Sequence, residues 1–442
     1  MRNRLIAPLI AALFSGPLLA SHGQAADLLQ IYSQALANDA VYASARSAQQ
    51  AGQEKSVQGR AALLPGVALS GSYSRNNSDT SGSADYSANS YRLSLSQPVF
   101  NLGSWETYQQ SKLAVVLADT QFAQAQQDLI VRVSQAYFDV LAAQDTLVFL
   151  QQQQAFISEQ LASAKRNFEV GTATITDTNE AQARFDLGVA QQIAAQSDLE
   201  VKRAALQQIV GDAPAELAPL RKGVKLSAPE PSQLNLWVAS AENQNYEVLR
   251  QQLTLEIAKR EIKRNRAGHY PTVDLVASRS HSNSGQSSIL SPTGGSLTSN
   301  AVGVQWSIPL FSGFAVDSKV REAIALEDKA RNDLLFTQRT SAQAARQAFA
   351  GVNNGLAQVR ALEAAEVSSQ SALESNKLGY QVGVRINIDV LNAEQQLYST
   401  RRDLARARYD TLMNGLRLKA AAGSLREEDL APVNQLLAPA AY

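Results

Sequence analysis

The chain has three histidines and no cysteine, which narrows the covalent chemistry open to it. Thiolate catalysis, thiolate metal sites and disulfides are excluded. His22 lies in an N-terminal segment expected to be removed, His269 at a strand entry and His281 in a Ser/Gly-rich polar stretch. No phosphate-cradling glycine loop, zinc-ligand spacing or nucleophile elbow is present. These residues predict neither an enzyme nor a cofactor site. The remaining chemistry is non-covalent, and it concentrates in two short stretches. VGTATITD runs from Val170 to Asp177, and VGVRINID from Val382 to Asp389, each end 212 positions after its counterpart. Thr176, Asp177, Arg385 and Asp389 within them can pair charges or cap helices. Asp177, with Glu180 three residues on, reads as an N-cap with a capping-box partner, and Asp389 reads as an N-cap in the same way. Capping and a second partner are compatible.

The two stretches belong to an internal repeat. At the same offset Phe168 matches Tyr380, Ala181 matches Ala393, Leu206 matches Leu418 and Gly211 matches Gly423. Each stretch is a glycine-containing turn between long helical patterns rich in Ala and Gln, so the turn is the tip of a helical hairpin in each copy. The chain divides into residues 1–25, a first repeat over 26–231, a second over 232–432 and a tail over 433–442.

Arg2 and Arg4, the apolar run Leu5 to Leu19, and small residues before a cut after Ala25 read as an export signal. The apolar run is too short for the roughly 20 residues of a membrane-spanning helix. The chain has 442 residues, 40 basic and 40 acidic, so no net field favours nucleic acid.

The elements that must position the tips follow in order. Asp27 to Ala62 reads as helix, ended by Leu64-Pro65. Val67, Leu69, Gly71 and Tyr73 alternate with small polar residues as a strand, and Arg75 to Asn89 reads as a loop. Tyr91, Leu93 and Leu95 form a second strand. Ser104 to Phe168 is one helical pattern, which at 1.5 Å per residue spans on the order of 100 Å. After the first tip, Asp177 to Val210 is helix, and a Pro-rich link over Ala213 to Pro231 closes the half. The second half repeats this: helix over Ser232 to Ala267, strands around Val273 to Ala277 and Val302 to Leu310, and a Ser/Gly loop over His281 to Asn300. A long helix then runs from Phe314 to Gln381, and a shorter one from Asp389 to Ala422.

Strands of roughly ten residues, apolar on one face and small-polar on the other, match a transmembrane barrel wall. A β-sandwich insert is the other reading of that pattern. Four strands cannot close a barrel, and open edges in lipid are forbidden, so further copies must complete it. Two copies give eight strands and three give twelve; the Ser-rich inner faces favour the wider, water-filled version. Trp105, Trp306 and Tyr91 suit an interfacial belt or ordinary packing.

The order helix–strand–strand–helix–turn–helix, twice over, resembles the TolC-type outer-membrane channels of Gram-negative efflux pumps and type I secretion systems. LLPGVALSG and HYPTVDLVAS at the strand entries, SQPVFNLGSW and SIPLFSGF at the exits, and both tips carry the resemblance, which covers residues 26–432. The absence of cysteine sets the chain apart from the lipidated branch. The resemblance implies a mainly α homotrimer: a twelve-stranded barrel in the outer-membrane lipid, continued by a twelve-helix periplasmic tunnel. The implied role is a passive exit duct. Its implied partners are a periplasmic adaptor, contacted at Val170, Gly171, Val382 and Gly383, and an inner-membrane transporter of the RND, ABC or MFS type. It also implies that the tips close the tunnel. Tyr380 and Arg385 take the inner tip's place, facing Gln160, Thr176 and Asp177 of the outer one as a latch. Asp389 takes the place of an axial carboxylate ring, with Asn392 where a second acid often stands. A periplasmic coiled-coil scaffold without a barrel is the alternative.

Overall fold

The computed structural model describes residues 25–77, 85–212, 216–221, 223–285 and 295–438. Apart from Ala25, the expected export signal lies outside the described residues.

The first helical stretch is two helices. α1 (Leu28–Asn38) opens with a capping box between Asp27 and Gln30. It stops at Asp39, whose extended backbone ends α1 while its carboxylate accepts from the Tyr42 amide at 2.6 Å and starts α2 (Ala40–Ala61). The same carboxylate takes the Arg132 fork at 2.9 and 3.0 Å. Burial raises its pKa, but the Arg132 fork and the Tyr42 amide outweigh burial and hold the group below the usual carboxylate range.

β1 (Gly66–Asn76) and β2 (Tyr86–Phe100) form a hairpin. The expected loop over Arg75 to Asn89 is therefore shorter than its composition indicated. Backbone pairing carries Ser- and Asn-rich residues as well as apolar ones, and Asn76 still pairs with Tyr86.

α3 (Leu102–Glu169) is 68 residues long, about 100 Å. α4 (Ile175–Val210) returns along its lower half. The second repeat follows the same plan. α5 (Leu234–Gln244) breaks at Asn245, whose side chain caps α6 (Tyr246–Arg266) through the Glu247 amide at 2.9 Å. β3 (Thr272–Ser284) and β4 (Gly295–Ser307) take in both ends of the expected Ser/Gly loop, and His281 is a strand residue paired with Thr298. α7 (Ala315–Gln381), of 67 residues, packs on α6 above and on α8 (Asn387–Ala421) below.

The four strands make one antiparallel sheet in the order β1-β2-β3-β4, so the two repeats join at β2–β3. Direct partners share a face. Val67, Leu95, Ala277 and Val302 line up on one side, and Ser70, Arg92, Ser280 and Ser299 on the other. The apolar side is open: Leu69 is 74 % and Val302 81 % exposed within one chain. Trp306 lies on this side, whereas Trp105 is on α3, beyond the strands. Among the described residues no helix is long and apolar enough to cross a membrane.

The main core is a belt at the waist. Leu28, Ile31, Leu129, Tyr137, Phe138, Leu206, Met413 and Leu430 pack there. The inter-repeat link is part of it: Leu217 bridges to Ala26, Leu220 to Leu437, and Tyr137 donates to the Ala218 carbonyl at 2.8 Å. The final helix, α9 (Leu430–Gln435), runs across the 432/433 boundary, and Leu437 is buried.

A candidate gate at the hairpin tips

Both tips turn on a left-handed glycine, Gly171 at φ 76° and Gly383 at φ 79°. Each closes a helix end with two backbone bonds. Gly171 donates to Phe168 and Thr172 to Asn167; Gly383 donates to Tyr380 and Val384 to Gly379. Only glycine adopts this geometry without strain, which explains why both copies carry Val-Gly here. Val170, Val382 and Val384 are 73, 64 and 76 % exposed, so the turn surfaces are apolar and open.

The expected helix starts shift by a few residues. Thr174, not Asp177, is the N-cap of α4; Asp177 is the third residue of the capping box, bound to Thr174 at both N and Oγ1 at 2.9 Å. Glu180 is not its partner. Ile386 occupies the cap of α8 without a side-chain bond, and Asp389 lies in the first turn. There it complements the helix N-terminus and reaches Arg385 at 3.7 Å.

Within one chain the polar links between the tips differ from those expected. Arg385 pairs with Asp389 of its own hairpin, not with Asp177, and remains 59 % exposed. Gly379 makes room for its stem: a Cβ there would stand 2.7 Å from Arg385 Cγ. The Tyr380 hydroxyl accepts from Asn167 Nδ2 at 3.2 Å, joining α7 to α3. Gln160 is half-buried and Thr176 is exposed. Arg184 of α4 donates to Asn392 Oδ1 at 2.9 Å and also to Gln395, joining α4 to α8. Asn392 is thereby engaged by the first hairpin. Asn167 and Arg184 are the tip contacts that sequence reasoning missed. Asn167 directly precedes Phe168, the residue matched to Tyr380, which was the only signal for it.

The waist is tied differently. Tyr409 of α8 donates to Asp145 of α3 at 2.7 Å and stacks on Phe138 with ring centroids 5.6 Å apart. Burial pushes the Asp145 carboxyl up, and the Tyr409 bond opposes it. The same helices are thus clamped through a continuous core at the waist. Toward the tips the apolar clusters are small: Leu161 and Ala164 of α3 with Ala181 of α4, and Leu373 of α7 with Val390 and Leu397 of α8. No group of three metal-ligating side chains occurs among the described residues.

A four-stranded sheet with an open apolar face, set on helices some 100 Å long, defines a subunit of a membrane channel with a long extramembrane duct. The family model described as outer membrane efflux protein matches residues 31–212 and 237–424, and the chain belongs to that family. It is 33% identical to the outer membrane protein TolC of Escherichia coli over 98% of this chain and 89% of that one. It is 34% identical to the alkaline protease secretion protein AprF of Pseudomonas aeruginosa over 93% of this chain and 88% of that one. Among solved structures, the open state of the Neisseria gonorrhoeae MtrE outer membrane channel matches with a TM-score of 0.74 and 20% identity, covering 92% of each chain. The fold is the mainly α one expected, a twelve-stranded barrel continued by a twelve-helix tunnel, each chain supplying four strands from two repeats. The chain is an outer-membrane exit duct of an efflux pump or type I secretion system, with a long periplasmic extension. The family is one of channels, and the barrel-less scaffold is set aside.

Proposed function

We propose that the tips form the periplasmic gate of this duct and that its locking groups are polar. The observation carrying this reading is the contrast along α3. A continuous apolar belt joins it to α8 at the waist, whereas near the tips it meets α7 through the Tyr380–Asn167 side-chain hydrogen bond and a small apolar cluster. Polar links of this kind contribute about 0.5–1.5 kcal/mol each, so they can be exchanged without unfolding the helices. Arg385, exposed beyond its own-chain partner, takes Asp177 and Thr176 of a neighbouring copy in the closed trimer, with Gln160 beside them. Three Asp389 carboxylates ring the entrance.

The open apolar surfaces of Val170, Gly171, Val382 and Gly383 receive a periplasmic adaptor, which couples the homotrimer to an inner-membrane transporter of the RND, ABC or MFS type. The chain acts passively, without catalysis.

Single-channel conductance of the Arg385→Ser trimer in a planar bilayer tests the gate. Conductance rises if Arg385 locks it. A closed-like conductance in an intact trimer would remove Arg385 from the gate.

A further inference from the structure

Glu394 of α8 is 1 % exposed, close to the mouth, in a chain whose other tip carboxylates reach solvent. It lies on the same helical stripe as Val390 and Leu397, which pack with Phe156, Leu373 and Tyr380 where α8 meets α3 and α7. Its Oε2 has no hydrogen-bond partner. Three titratable groups face it: Lys377 from α7, Glu159 from α3, and Tyr398 one turn further along α8. Lys377 directs its ammonium over the Phe156 ring, 4.4 Å from the centroid. Burial pushes the Glu394 carboxyl from 4.5 up to about 9, with Lys377 opposing the rise and Glu159 adding to it. The side chain is therefore a neutral acid at neutral pH. It has company, since Asn387 Oδ1, Thr178 Oγ1 and Gln154 Oε1 near the same end of the molecule are also buried without partners. Water entering between the hairpins would satisfy all four.

We propose that Glu394 is a proton-linked lock on the mouth: parting α8 from α3 wets its carboxyl, which releases a proton to solvent and becomes a carboxylate. This rests on the reading of the tips as a gate. The closed form holds the proton more tightly than the open form, so acid favours closure. Between pH 4.5, where a wetted carboxyl titrates, and about 9, where the buried one does, rising pH favours opening. The open-to-closed ratio changes by up to about tenfold per pH unit for each chain. Below that window both forms are protonated, and above it both are ionised, so the pH effect ends at either side.

The test is single-channel recording of the intact trimer with the periplasmic side taken from pH 5 to 9. Opening of the native channel increases with pH, while Glu394→Gln, which keeps the shape but cannot ionise, stays closed with a flat profile. A native pH slope in an assembled Glu394→Gln trimer would overturn the lock. If Glu394→Gln does not assemble, Lys377→Met decides. Losing the ammonium raises the closed form's pKa further, so the rise of opening with pH continues beyond about 9 when the recording is carried on to more alkaline pH, and an unmoved alkaline limit overturns the proposal. Arg385→Ser, recorded alongside, reads the gate by itself. Raised conductance there with an unaltered slope in Glu394→Gln overturns the lock alone. Conductance indifferent to both Arg385→Ser and pH overturns the gate reading and the lock with it.

Discussion

Arg184 of α4 donates to Asn392 of α8 at 2.9 Å, tying the two hairpins of one chain together beside the tips. Both groups are exposed, which limits the bond to about 1 kcal/mol or less. Arg184→Ser should raise the open-to-closed ratio less than tenfold, and Asn392→Asp, by placing a carboxylate against the guanidinium, should lower it. The coupling between the two sites, from a double-mutant cycle on open probability, checks this. Strict additivity would mean that the contact does not act on the gate.

Asp389 is partly neutralised by Arg385 four residues before it. Block by a hexammine-type trication from the periplasmic side should therefore strengthen in Arg385→Ser, which frees three carboxylates, and disappear in Asp389→Ala. Titration of block in planar bilayers measures both. Block that survives Asp389→Ala would leave Asp389 only a helix-end charge.

Gly379 predicts a variant that separates helix stability from latch position. Gly379→Ala adds about 1 kcal/mol of helix propensity to α7. Its methyl group also displaces the Arg385 stem, from which it would stand 2.7 Å. The expected outcome is raised conductance with no loss of thermal stability. Native conductance would show that the stem has room to shift without consequence.

At the waist, Asp39→Ala removes the α2 cap and leaves Arg132 without its buried partner. The cost should be about 2–4 kcal/mol, read as a lowered melting temperature of the detergent-solubilised trimer. Asp39 has a depressed pKa in the folded chain, so its contribution is present above the unfolded value of about 3.8 and is lost as pH falls below it. The gap between native and variant stability should therefore close in strong acid.

Much of this architecture was legible because it is written twice. The 212-residue offset located both glycine turns, and strand alternation gave both faces of the sheet. The helix breaks at Asp39 and Asn245 were missed, since a single capping residue inside a strong helical pattern is a weak local signal. The hairpin arms were cut short because Ser- and Asn-rich residues read as loop until a partner strand is in place. Reading Asp177 and Asp389 as caps sets each helix start one turn too late, since Thr174 offers the better-placed oxygen for α4 and Ile386 occupies the cap of α8. Glu394 lies in the polar run NAEQQ, and only the packing of α8 on α3 and α7 reveals that it is buried.

The pairing of β2 with β3 also constrains how the chain is made. All of α3, α4, α5 and α6 lies between these strands, so their ladder is a contact of very high sequence separation. Such contacts close slowly, because a long loop must be ordered before the pairing repays it. The β1–β2 hairpin emerges first and waits, with Leu69 and Leu93 uncovered, until the second repeat arrives. A lone hairpin of this kind is marginal in water and prone to wrong partners. The nascent chain therefore crosses an aggregation-exposed interval set by the length of its own helices.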